Sequence, residues 1–156
     1  MRCRLALYER ENTRVLRTVL MRIMAIDYGD ARIGIAVSDP TGFICGEAWT
    51  LQEWDAERAA GTIATEAKKR EVSTIVLGLP KNMNGTEGPR AEKSREFKKI
   101  LEKHTDKEII LWDERRSSIE AHAILHNVGK KEKKHRESVD AVAASLILEG
   151  YLGSRK

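Results

Sequence analysis

Three acids, widely separated in the chain, stand where a carboxylate is costly unless something answers its charge. Asp27 ends the apolar run RIMAID. Glu114 follows the apolar run EIILW and Asp113. Asp140 opens an apolar stretch of helical period, with Ala143, Ala144 and Ile147 three, four and seven residues on, so it faces the packed side. If the strands before Asp27 and Glu114 run parallel, their acids share one sheet edge, and the last helix can bring Asp140 there. Carboxylates pressed together repel unless a cation intervenes. Oxygen-only ligands select Mg²⁺ or Mn²⁺ over zinc. Two such ions, about 3.5–4 Å apart, can activate water and stabilise the leaving oxygen of an in-line phosphodiester attack. That chemistry needs no nucleophilic side chain, which suits a chain with no strong serine or cysteine nucleophile signature. Asp27, Glu114 and Asp140 are therefore the candidate catalytic and metal-binding residues. Asp113 rivals Glu114, because neighbours on an extended strand point to opposite faces and only one reaches the ions. Each acid also has a plain structural alternative: Asp27 as a turn cap, Glu114 as part of an exposed ion-pair run with Arg115 and Arg116, Asp140 as a partner of the helix dipole.

Candidate nucleic-acid contacts surround these acids in sequence. Arg115 can donate charge-assisted hydrogen bonds to a phosphate, or form a surface ion pair instead. Asn82, Asn84 and Gly85 lie in a Gly/Asn loop whose backbone amides could approach a nucleic-acid backbone. Lys130, Lys131, Lys133, Lys134 and Arg136 make the densest basic cluster, just ahead of Asp140, and suit phosphate binding or simple solvation. Few aromatic residues are available for base stacking. His122 and His126 share a helical face, but no third ligand and no HExxH motif accompany them, which argues against zinc.

The elements that must position these groups follow from periodicity. Strands are expected over 22–28, 32–38 and 43–51, joined by turns at Gly29-Asp30 and Asp39-Pro40-Thr41-Gly42. Glycine and alanine in the second strand suit close approach of neighbouring backbone. Ala56, Ala59, Ala60, Ile63, Ala64 and Ala67 form an apolar stripe, predicting a helix over 54–70 that Trp54 begins. VSTIVLG at 72–78 reads as a buried parallel strand. Pro89 opens a helix to about 104. A fifth strand spans 108–112, and Ser117-x-x-Glu120 is a capping box for a helix to about 127. A final helix covers 137–151. Trp49 and Trp112 read as core or sheet-face residues. The order β-β-β-α-β-α-β-α-α predicts an α/β fold: a mixed five-stranded sheet, three antiparallel strands then two parallel, flanked by helices. Ligands gather at the carboxyl ends of such parallel strands.

The 156 residues allow one domain with a proper core. The net charge of +4 invites a nucleic-acid reading, but residues 1–20 hold five Arg and two Glu and supply most of it. That segment lacks the features of a signal peptide and reads as an extension outside a domain over 21–152, with 153–156 a short tail. No apolar run is long enough to span a membrane. Cys3 and Cys45 lack metal-ligand spacing and fit a reduced, cytoplasmic protein.

Four blocks, AIDYGDARIGIAVSD, VLGLPKNMNGTEGP, WDERRSSIEA and VDAVAASLILEGYL, occur in this order. Together they resemble the YqgF/RuvX family of Holliday-junction-resolvase-like nucleases with a ribonuclease H-like fold, over essentially all of 21–152. The resemblance implies a cytoplasmic bacterial nuclease that uses a divalent metal, Mg²⁺ or Mn²⁺, and matures the 5′ end of precursor 16S ribosomal RNA in ribosome biogenesis. It carries the family's acid trio onto Asp27, Glu114 and Asp140. Its expected partners are structured RNA or branched DNA, and no membrane; the chain is expected to be a monomer or homodimer. Arg116 and Ser117-Ser118 stand where the family often has an aliphatic residue and threonines. Three readings stay open beside RNA processing. They are a junction-resolving DNA endonuclease, a non-catalytic ribosome-assembly factor, and an ATP-handling protein, since Asp-x-Gly hairpins also grip phosphates. The last needs a second enclosing domain, for which the chain leaves no room.

Overall fold

A computed structural model describes residues 21–116 and 136–155. Five strands, β1 (Arg22–Asp27), β2 (Arg32–Ser38), β3 (Cys45–Gln52), β4 (Val72–Leu79) and β5 (Glu108–Asp113), form one sheet in the order β3-β2-β1-β4-β5. The β1–β2 and β2–β3 pairs are antiparallel; β1–β4 and β4–β5 are parallel. Helices α1 (Ala56–Lys69) and α2 (Pro89–Glu102) follow β3 and β4, and α3 (Arg136–Ser154) closes the chain. The fold is the expected α/β architecture. The expected helix over 117–127 lies outside the described residues.

The alternation of side chains along the strands divides the core between the two faces of the sheet. On one face Met24, Ile26, Ile33, Ile35, Val37, Ile75 and Leu77 pack against Ala59, Ala60, Ile63 and Ala67 of α1 and Phe97 and Leu101 of α2. The alanine stripe of α1 lets that helix lie close to the sheet. On the other face Ile23, Ala25, Ala36, Val76 and Trp112 meet Ala144, Ile147, Leu148 and Leu152 of α3. Each fully buried Ile contributes roughly 1.5–3 kcal/mol. Central β1 is apolar on both faces because helices cover both, and Asp27 is its one acid.

Several boundaries differ from expectation for local reasons. β3 starts at Cys45 and not at 43. The Asp39 carboxylate accepts from the amides of Thr41, Phe43 and Ile44, so those amides are committed to the turn. Phe43 and Ile44 are left exposed. α1 starts at Ala56, because Asp55 is its N-cap and accepts from the Arg58 amide at 2.9 Å. Trp54 therefore precedes the helix and is 75% exposed. α2 stops at Glu102, and α3 runs on to Ser154. Trp112 is buried under α3, with Tyr151 edge-on at 5.6 Å. Trp49 lies against the first core, under the Arg70 guanidinium at 4.4 Å.

Candidate active site

The carboxyl ends of β1, β4 and β5 lie side by side at one edge of the sheet. Asp27 ends β1 and shares the α3 side of the sheet with Ile23 and Ala25. The turn after it is fixed from two directions. Lys93 of α2 donates to both Asp30 carboxylate oxygens at 2.8 Å, and the Tyr28 ring stacks on Phe97 at 4.1 Å. A side chain at Gly29 would meet the Arg32 carbonyl oxygen at 2.5 Å, so the tight turn requires glycine there.

Glu114 begins a single 3-10 turn, Glu114–Arg116, directly after β5. Asp140 lies in the first turns of α3, where that helix crosses β2. Burial pushes the Asp27 carboxyl up to about 7, and repulsion from Glu114 and, less, Asp140 adds to it, while Arg90 opposes. Burial also raises Glu114, against Arg90 and with a push from Asp113. Burial raises Asp140, against Arg32. The three expected acids thus form one electrostatically linked, partly desolvated group. Asp140 Oδ2 is buried with no hydrogen-bond partner, and its nearest countercharge is Arg32 Nε at 3.7 Å.

Arg90 and Arg32 are not singled out by the sequence. Arg90 follows Pro89 at the start of α2, and Arg32 opens β2. Neither has a motif of its own; only the packing sets them among the acids.

Asp113 repels Glu114 but is itself engaged by Arg115. Arg115 binds it through its amide at 3.0 Å and its guanidinium at 2.6 Å, which lowers the Asp113 pKa. Asp113 shares the α1/α2 side of the sheet by strand alternation, and Glu114 the other. The expected contact residues in the loop are engaged with one another. The Asn82 amide donates to Thr86 O and the Gly85 amide to Asn82 O, both at 2.9 Å. Asn82 Nδ2 donates to Thr86 Oγ1, and Asn84 Oδ1 accepts from the Thr86 amide. Gly85 has φ +86°, and a Cβ there would meet Arg115 Nη1 at 3.4 Å, so the loop tip borders Arg115. Glu87 clasps Arg95 at 2.7 Å and pins the loop to α2. Lys130, Lys131, Lys133 and Lys134 lie outside the described residues, as do His122 and His126, and Arg136 is the first residue of α3.

The donor chemistry fits a hard divalent cation: three carboxylates, each raised by burial, Asp27 also by the charges of the other two, and one with an unpartnered buried oxygen. As they stand, no three His, Cys, Asp or Glu side chains among the described residues are close enough to hold one ion. Among the described residues, Arg90 and Arg32 are the countercharges to these acids, and Arg32 is the one beside Asp140.

A family model described as RuvX, Holliday junction resolvase, matches residues 21–154. The chain belongs to the RuvX family. Among its RuvX relatives, a protein of Halothermothrix orenii named "Putative pre-16S rRNA nuclease" is 44% identical over 132 residues, 85% of this chain and 94% of that one. A protein of Clostridium tetani with the same name is 42% identical over 134 residues, 86% and 97% of the two chains. The RuvX fold of this chain is similar to that of Thermus thermophilus RuvC in complex with Holliday junction substrate, with a TM-score of 0.59 at 11% identity, over 87% of this chain and 97% of that one. It is also similar to the fowlpox virus Holliday junction resolvase, with a TM-score of 0.51 at 16% identity, over 87% of this chain and all of that one. At such identities the likeness shows the shared fold.

Proposed function

We propose that this chain is a metal-dependent nuclease that hydrolyses phosphodiester bonds in structured nucleic acid, processing the 5′ end of precursor 16S ribosomal RNA in the cytoplasm. One observation supports the reading: the buried Asp27 carboxyl, at the carboxyl end of β1, is pushed up by burial and by the charges of Glu114 and Asp140, acids from two distant parts of the chain. Such a group is held together by folding and is relieved by cations. The names of relatives above 40% identity over most of their length support nuclease activity and the ribosomal substrate.

Asp27, Glu114 and Asp140 would hold Mg²⁺ or Mn²⁺. When bound, the ions supply an activated water and charge stabilisation at the leaving oxygen. The chain's own residues do the rest. Arg90 and Arg32 balance the acids before the ions bind and are then available to phosphate oxygens. Arg115, steadied by Asp113, extends the positive edge toward the loop of Asn82, Asn84 and Gly85, which braces that edge. Lys130, Lys131, Lys133, Lys134 and Arg136 add phosphate contacts ahead of Asp140. Asp113 stays with Arg115 and takes no part at the ions.

Branched DNA is the second substrate class, favoured by the fold shared with RuvC. Cleavage of end-labelled precursor ribosomal RNA and of a four-way DNA junction, with Mg²⁺, Mn²⁺ or EDTA, tests the reading. Cutting that needs metal and disappears in Asp27→Asn/Asp140→Asn supports it, and the preferred substrate separates the two classes. Intact binding without cutting of either overturns it in favour of an assembly factor.

A further inference from the structure

Asp27 stands in a row with two glycines. It pairs directly opposite Gly34 of β2. On its other side Ile26 pairs with Leu77 of β4, and continuing that register by one residue sets Gly78 beside Asp27. By strand alternation all three positions present the α3 side of the sheet, as Ala25, Ala36 and Val76 do. Neither glycine has the positive φ that only glycine tolerates well; among the described residues those are Gly42 and Gly85. Glycine inside a strand weakens it, so its presence there points to a need for space.

The space is filled by the candidate site itself. A Cβ at Gly78 would stand 2.6 Å from Glu114 Oε1 and 2.7 Å from Ile147 Cδ1. A Cβ at Gly34 would collide with the Asp140 carbonyl, standing 2.6 Å from its carbon, and would meet Ala144 Cβ at 3.3 Å. The Glu114 carboxylate thus lies where residue 78 would carry its side chain, and the α3 backbone lies where residue 34 would carry its own.

We propose that Gly34 and Gly78 are positioning residues of the active site: their missing side chains form a notch on either side of Asp27, Gly78 seating the Glu114 carboxylate and Gly34 seating the backbone of Asp140. The proposal rests on the reading of the three acids as the metal-holding group. The two seats differ in kind. At residue 78 both obstacles are ends of flexible side chains, so an added methyl turns Glu114 away and leaves the fold intact. At residue 34 the obstacle is backbone, so an added methyl must lift the start of α3.

The test compares metal-free wild type, Gly78→Ala, Gly78→Ala/Ile147→Val, Glu114→Ala and Gly78→Ala/Glu114→Ala, by melting temperature, by calorimetric titration with Mn²⁺ and by crystal structure. Ile147→Val removes the Cδ1 that crowds residue 78 and leaves the carboxylate clash. The expectation is that Gly78→Ala binds Mn²⁺ about 10–100-fold more weakly. Adding Ile147→Val recovers melting temperature and leaves the affinity low, and Gly78→Ala costs no further affinity once Glu114 is alanine. Recovery of Mn²⁺ affinity by Ile147→Val overturns the proposal, because residue 78 would then matter for packing alone. A further loss of affinity in the Glu114→Ala background overturns it as well. A metal-free Gly78→Ala structure with the Glu114 carboxylate unmoved also overturns the seat, whatever the wild type binds. A displaced Glu114 in that structure, with a wild type that takes up no Mn²⁺, upholds the seat and refutes the metal reading alone.

Discussion

Asp27 is the residue on which the proposed chemistry turns, and its environment makes its role measurable. Its carboxyl is raised from 3.8 to about 7 by burial and by Glu114. The folded protein then binds a proton more readily than the unfolded chain between about pH 4 and pH 7. Stability of the metal-free protein falls as pH rises through that window, and the loss is complete above it. The shift sets a ceiling of roughly 4 kcal/mol on the cost. Asp27→Asn is therefore expected to raise the metal-free melting temperature at pH 8, with the gain fading toward pH 4, while abolishing cleavage. Thermal melts across pH, beside the cleavage assay, check both. An Asp27→Asn protein that cuts at the wild-type rate would refute the assignment. Arg90 opposes the rise at both Asp27 and Glu114. Arg90→Ala should move both carboxyls further up and shift the acid limb of the cleavage profile to higher pH at subsaturating Mg²⁺. An unmoved limb, read from rate against pH, would remove Arg90 from the site's electrostatics.

At the scale of elements, the acids are only as well placed as the strands and helix that carry them. α3 rests on β2 where Gly34 removes a side chain, so Gly34→Ala is expected to lower the melting temperature more than Gly78→Ala does, since one moves backbone and the other a side chain. The caps are local and testable in the same way. Asp55→Ala removes the side-chain acceptor at the start of α1 and should cost about 1 kcal/mol by denaturant unfolding, without changing cleavage. Asp39 holds three amides of the β2–β3 turn at the opposite end of the sheet, so Asp39→Ala should speed hydrogen exchange at Phe43 and Ile44 and leave the Mn²⁺ affinity unchanged. Those amides, hidden from any reading of apolar pattern, are why β3 begins later than the run FICGEAWTL suggests.

For the whole molecule, the family match begins at residue 21, one residue before β1. Removal of residues 1–20 is expected to leave the melting temperature and cleavage of either substrate unchanged; a lost transition in calorimetry would show that they belong to the folded unit. Phosphate contacts dominate the affinity expected of a site flanked by Arg32, Arg90 and Arg115, so binding should weaken steeply with salt.

The five strands and the described helices were legible in the sequence because each buries a stripe or face of its own period, and period is a local property. The three acids were legible as candidates because each interrupts such a pattern beside its end. Their association was not, since Asp27, Glu114 and Asp140 are joined by nothing along the chain. Strand order, parallel pairing of β4 with both β1 and β5, and the crossing of α3 over β2 set them at one end of the sheet. The different surroundings of Asp113 and Glu114 likewise come from the fold: two adjacent acids look alike in sequence, but Arg115 binds one and the other lies beside Gly78. The sequence by itself determined which residues carry charge and which stripes must be buried. Only the tertiary structure decided which charges share one small, poorly solvated volume, because electrostatic coupling depends on distance and burial, and neither is written in the order of residues.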